Sequence, residues 1–187
     1  MKPLQSVAMG LVIIGLVAPL HGYDLLPDPI GWLLVVLGVR GLPTSVERRP
    51  LLHAVAVLAA LVSVALWVPR VADALADTDD SLVWTASLPQ LAFQVLLAHS
   101  LAEAAAEAGD VRSARWLGLA RTVAVVVALA PVLVFGAGLR DWEPVTFLAA
   151  DLLLLTLIVL LFRYASRGWA QPPAGMVQMS TKSGDTS

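Results

Sequence analysis

The stretch His21–Leu42, HGYDLLPDPIGWLLVVLGVRGL, sets two prolines and two aspartates against an apolar run too short to cross a bilayer. From Ile30 to Leu42 a helix rises about 20 Å, against a hydrocarbon core of roughly 30 Å. Backbone ahead of Ile30 is therefore expected at membrane depth. Irregular backbone is tolerated there only when protein covers it or a water-filled cavity reaches it. Asp24, Pro27, Asp28 and Pro29 are accordingly expected to line a pocket or to plug a bundle.

The composition around this stretch supports a membrane setting. Of 187 residues, 58% are hydrophobic and 14% charged, and the mean hydropathy is +0.81, outside the range of ordinary soluble domains. With no cysteine in the chain, disulfides, thiolate metal sites and cysteine nucleophiles are excluded.

Six apolar segments can be placed, at about residues 4–20, 29–42, 51–68, 82–101, 116–139 and 145–164. Together they predict an all-α, polytopic bundle over residues 1–165, with the second helix short or broken. Pro3 suits a first helical position, and Asp28 and Pro29 suit the start of the second helix, which Pro43 ends. A cleaved signal peptide is the alternative for the first segment, but no A-x-A site follows it. Ala56, Ala59, Ala60 and Ser63 mark the third segment as a packing helix, and Arg70–Asp80 reads as an amphipathic extension. Pro89 is expected to kink the fourth helix, which should run on through EAAAEA to Gly109, with Asp110 capping the next. Residues 166–187 turn to Gly, Pro, Ser, Thr and Gln and are expected to be a disordered cytoplasmic tail.

Orientation follows from the basic residues. With the N-terminus inside, Lys2, Arg40, Arg48, Arg49, Arg112, Arg115, Arg121, Arg163, Arg167 and Lys182 fall at inner ends and only Arg70 and Arg140 at outer ones. That split predicts both termini inside. Trp32, Trp67, Trp84 and Trp142 then sit near the outer interface, and Trp116 and Trp169 near the inner one.

Two groups of polar residues could carry chemistry. The first is a candidate pocket of Asp24, Asp28, Gln90, Gln94 and Asp151. Ionisable groups at membrane depth are costly and mark functional sites, although Asp28 reads equally as an N-cap. Asp151 lies about 9 Å into the last helix, and Gln90 and Ser87 are its expected partners. Ser87, Gln90 and Gln94 share a helical face, as an interhelical hydrogen-bonding stripe or a solute path requires. The second group is an inner cluster of His99, Glu103 and Arg121, in which His99 and Glu103 are four apart on one helix. His53 and His99 at similar depth meet the minimum for haem ligation, but no haem-pocket pattern flanks them, so no cofactor and no metal are expected. Zinc-protease, phosphate-loop, serine-hydrolase and dinucleotide motifs are absent. DTDDS departs from a calcium loop at Leu82 and Leu88.

The segment Leu26–Leu42, LPDPIGWLLVVLGVRGL, resembles an LPD-x-IG loop and short helix of small uncharacterised multi-pass membrane proteins of bacteria. The resemblance implies a bacterial cytoplasmic (inner) membrane and no assigned activity. Three function classes follow. The first is a non-catalytic accessory or assembly partner, embedded in the lipid bilayer and associating with other membrane subunits or with itself. The second is a small transporter or channel for a cation, proton or small solute using Asp28, Asp151, Gln90 and Gln94. The third is a lipid-modifying enzyme, for which no nucleophile or base cluster is found. No nucleic-acid partner is expected, and the small-molecule ligand stays open.

Overall fold

The computed structural model describes residues 1–16, 19–20, 23–24, 28–68, 80–136 and 143–171. Six α-helices occupy these described residues: α1 (Pro3–Gly15), α2 (Asp28–Arg40), α3 (Arg49–Leu66), α4 (Asp80–Glu107), α5 (Val111–Gly136) and α6 (Glu143–Tyr164). A short 3-10 turn, Gly168–Ala170, follows. The one pairing of strands among the described residues is a minimal antiparallel ladder between β1 (Pro19–Leu20) and β2 (Tyr23–Asp24), in the connection from α1 to α2. The architecture is all-helical apart from that ladder.

Two expectations for the N-terminal half need correction. The first helix was expected to reach Leu20 but stops at Gly15, and Leu16 is already extended (φ −99°, ψ 111°). Pro19 supplies the reason, since it lacks an amide hydrogen and in a continuing helix its ring would crowd the Gly15 carbonyl four residues back. Pro19 and Leu20 instead pair with Asp24 and Tyr23. Consequently α1 and α2 are both 13-residue helices of about 20 Å. Trp32, expected as an interface anchor, is buried and meets the edge of Phe93 at 5.4 Å between ring centroids. Its indole fills the space between α2 and α4.

Glycines join α1 to α2. A Cβ on Gly31 would lie 2.7 Å from the Gly10 carbonyl oxygen and 2.7 Å from Ile14 Cγ1, and one on Gly38 would lie 2.8 Å from the Pro3 carbonyl. Gly31 and Gly38 are two helical turns apart and so share one face, against which the α1 backbone lies in direct contact. The Ser6 hydroxyl uses the approach, donating to the Leu34 carbonyl at 2.9 Å.

Each helix packs on its neighbours in sequence, and α6 returns to α1, so the bundle closes as a ring. Leu11, Leu52, Leu97, Leu117, Leu157 and Leu161 are fully buried within it. The outside is apolar too: Leu58 and Leu61 on α3, Val126 and Leu129 on α5, and Leu152 and Leu155 on α6 are all exposed. A surface this apolar is unsuited to water. Three helical stretches, Arg49–Leu66, Val111–Ala130 and Val145–Tyr164, are long and apolar enough to cross a membrane. Although α4 is longer, at 28 residues, Gln90, Gln94, His99 and Ser100 lower its apolar average.

The turn from α4 to α5 follows the expected logic. Gly109 takes φ +76°, the left-handed conformation that glycine adopts without strain. Its amide donates to Ala106 and that of Asp110 to Ala105, closing a Schellman turn. Asp110 then caps α5 through the Ser113 amide (3.1 Å) and hydroxyl (2.7 Å).

Residues 166–171 depart from the expected disordered tail. Ala170 is buried, the Trp169 ring packs against Tyr164 at 6.1 Å, and Arg167 lies 3.8 Å from Asp110. Composition pointed to a tail, but one tryptophan beside a buried alanine is enough apolar surface to fold this short piece back. The remainder of the expected tail, 172–187, and residues 70–79 of the expected amphipathic extension Arg70–Asp80 lie outside the described residues.

Candidate functional site

The inner cluster assembles around α4. Leu96, His99 and Glu103 occupy successive turns of one face, and α3 and α5 pack on either side. Arg121 of α5 donates from Nη1 to His99 Nδ1 at 3.1 Å. A guanidinium has no acceptor, so Nδ1 must carry the lone pair and Nε2 the hydrogen. Nε2 points to Glu103 Oε1 at 3.4 Å. The other carboxylate oxygen of Glu103 faces Arg48 Nε at 3.5 Å. Four side chains, two from α4, one from α5 and one from the turn before α3, thus form one chain: Arg121, His99, Glu103 and Arg48.

Arg48 is the member that sequence reasoning left out. It was counted as a loop charge, yet it directly precedes α3, and the antiparallel course of α3 and α4 sets it level with Glu103. Its neighbour Arg49 donates to the Leu42 carbonyl at 2.9 Å, tying the end of α2 to the start of α3. The glycine contacts of α1 and α2 were also missed, although the seven-residue spacing of Gly31 and Gly38 was a readable signal.

This cluster borders a groove of about 560 Å³ whose walls include Val55, Leu88, Leu91 and Val95. Arg48, His99 and Arg121 lie along it. Pockets of this size accommodate small-molecule or lipid fragments. Among the described residues no group of three or more His, Cys, Asp or Glu side chains is placed to hold a metal ion.

No family model, curated protein or solved structure matches this chain. The site must be read from its own geometry.

The candidate outer pocket is not drawn together in the same way. Gln94 is turned into the bundle, 2% exposed, and its Oε1 has no hydrogen-bond partner. Gln90 is half-buried on the same helix. Asp28 is half-buried as the first residue of α2, with Pro29 in the first turn behind it. Asp24 pairs through its backbone with Pro19. Asp151, however, is exposed on α6, and the expected link to Gln90 or Ser87 does not form among the described residues. Helical spacing explains this: Leu153, Leu157 and Leu161 make the buried face of α6, whereas Asp151 falls with Leu148, Leu152 and Leu155 on the outward one.

Further polar atoms are enclosed without partners: His53 Nε2, Ser63 Oγ and Ser100 Oγ. An unmet buried polar atom costs about 1–3 kcal/mol, and α3 and α4 each enclose two of them in an otherwise apolar interior.

Outside the spanning stretches, the Asp110 carboxyl is held below its usual range. The Ser113 hydroxyl contributes most, followed by the Ser113 amide. Burial opposes them, and Trp169 and Arg167 add smaller favourable contributions.

Proposed function

We propose that this chain is a six-span, non-catalytic integral membrane protein of the bacterial cytoplasmic membrane, with both termini inside, that serves as an assembly partner for another membrane subunit. The carrying observation is Asp151, a carboxylate exposed on the apolar outer face of α6 between Leu148 and Leu155. Facing lipid, such a group is costly and is retained where a neighbour satisfies it. The partner chemistry that fits is a transmembrane helix presenting a hydrogen-bond donor or a basic side chain at the same depth. The LPD-x-IG resemblance and the ten-to-two split of basic residues support the membrane and the orientation.

The 13-residue helices α1 and α2 fit a spanning role if the β1–β2 hairpin carries the chain the rest of the way. Their backbones pair there rather than facing lipid unsatisfied.

The experiment is a size measurement. Extracted in mild detergent, the wild-type chain should migrate well above a 19.7 kDa monomer in its micelle, and Asp151→Leu should migrate as the monomer. Equal migration of the two would remove the assembly reading.

A second reading, transport of a proton, cation or small solute, is favoured by the unpartnered buried atoms of Gln94, His53, Ser63 and Ser100. Proteoliposome flux that survives Asp151→Leu but is lost in Gln94→Leu would select it.

A further inference from the structure

The charges of the inner cluster do not balance. Glu103 is matched to Arg48, while Arg121 has only the Nδ1 atom of His99 as its partner and no carboxylate within ion-pair reach among the described residues. A guanidinium without a carboxylate partner therefore stands at one end of the groove, its Nη1 directed to His99. The remainder of the groove is apolar: Val55, Leu88 and Val95 offer hydrocarbon only, and Ala92 and Ala128 leave room between the helices. From Leu88 to His99 the α4 wall extends about 16 Å. The groove is thus a long apolar slot with a cation at its end.

We infer that this groove binds an anionic phospholipid, its phosphate on Arg121 and Arg48 and one acyl chain along α4 between α3 and α5. Guanidinium suits phosphate because its forked donors match the oxygens in pairs. The depth is consistent: Arg48 precedes the first turn of the apolar span Arg49–Leu66, which places its guanidinium at headgroup level, and the relay through Glu103 and His99 holds Arg121 toward the same end of the bundle. A headless anion would leave the apolar walls empty, and a neutral lipid would leave Arg121 unmatched.

The inference rests on the membrane-spanning reading, and the two can fail separately. Alkaline carbonate should leave the full chain in the membrane pellet, and release into the supernatant would overturn both. For the groove, the purified chain in neutral detergent is titrated with phosphatidylglycerol, with phosphatidylcholine and with inorganic phosphate, and followed by native mass spectrometry and thermal shift. Phosphatidylglycerol alone should be retained and should raise the melting temperature. Arg121→Gln should weaken retention by about tenfold or more, and Arg121→Lys, which keeps the charge but loses the fork, should retain only part of it. Ala92→Trp, which fills the slot without touching a charge, should lower retention in a chain that remains monodisperse. Equal retention of phosphatidylcholine, an equal shift with inorganic phosphate, or unchanged retention in Arg121→Gln would each overturn the lipid assignment.

Discussion

The Trp169 indole donates to Asp110 Oδ2 at 3.3 Å, joining the end of α6 to the turn between α4 and α5 across 59 positions of chain. With the Tyr164 ring beneath it, this contact straps the last helix to the hairpin before it. The same carboxylate caps α5 through Ser113, so one side chain closes two joints.

The strap should be removable by truncation. A chain ending after Gln171 should melt like the full one, whereas a chain ending after Arg167 loses the Tyr164–Trp169 contact and the burial of Ala170. That loss is worth about 1–2 kcal/mol, or about 2–8 °C in a chain of this size. Matching melting curves for the two truncations would show that the strap contributes nothing.

Asp110 also makes a pH prediction. Its carboxyl is depressed in the folded chain, so the unfolded state binds the proton more readily. The stability this confers is present above the unfolded value of about 3.9 and is lost as pH falls through the folded value. Wild type should therefore lose more stability than Asp110→Asn on acidification below about pH 4, read by thermal melts with Trp169 fluorescence as the local reporter. Parallel acid profiles would count against the assignment.

Close packing of α1 on α2 predicts opposite effects for two glycines. Gly31→Ala forces its methyl onto the Gly10 carbonyl and Ile14, an overpacking cost of about 1–3 kcal/mol. At Gly118, in the middle of α5, nothing lies within 4 Å of an added Cβ, and Gly118→Ala should stabilise by about 0.5–1 kcal/mol through helix propensity. Melting temperatures of the two variants should move in opposite directions.

Asp28 can be read by substitution. As a residue that starts α2, it should tolerate Asn or Ser and lose about 1 kcal/mol on change to Ala. If the negative charge itself is used, Asp28→Asn should instead erase any dependence of melting temperature on added cations. Detergent melts of the three variants, with and without salt, separate the two outcomes.

Orientation is open to direct labelling, because the chain has no cysteine. A membrane-impermeant thiol reagent should reach Asp79→Cys in intact cells and miss Thr44→Cys. The reverse pattern would invert the bundle.

How much of this was legible beforehand differs from residue to residue. Hydropathy alone located all six helical segments, and the Gly109–Asp110 turn could be read from its residue types, because left-handed glycine and a capping aspartate are local chemistry. The pairing of His99 with Glu103 was likewise visible, since both lie on one helix four residues apart. What tertiary structure decided was which face of each helix turned inward. Asp151 was assigned to an interior pocket because its helix is apolar on every side, and a helix without a polar face carries no sign of its orientation. Arg48 joined the inner cluster, Trp32 went to the core and Trp169 folded back on Asp110 for the same reason: each depends on a neighbour distant in the chain. Sequence spacing reports contacts along a helix, and only packing reports contacts between helices.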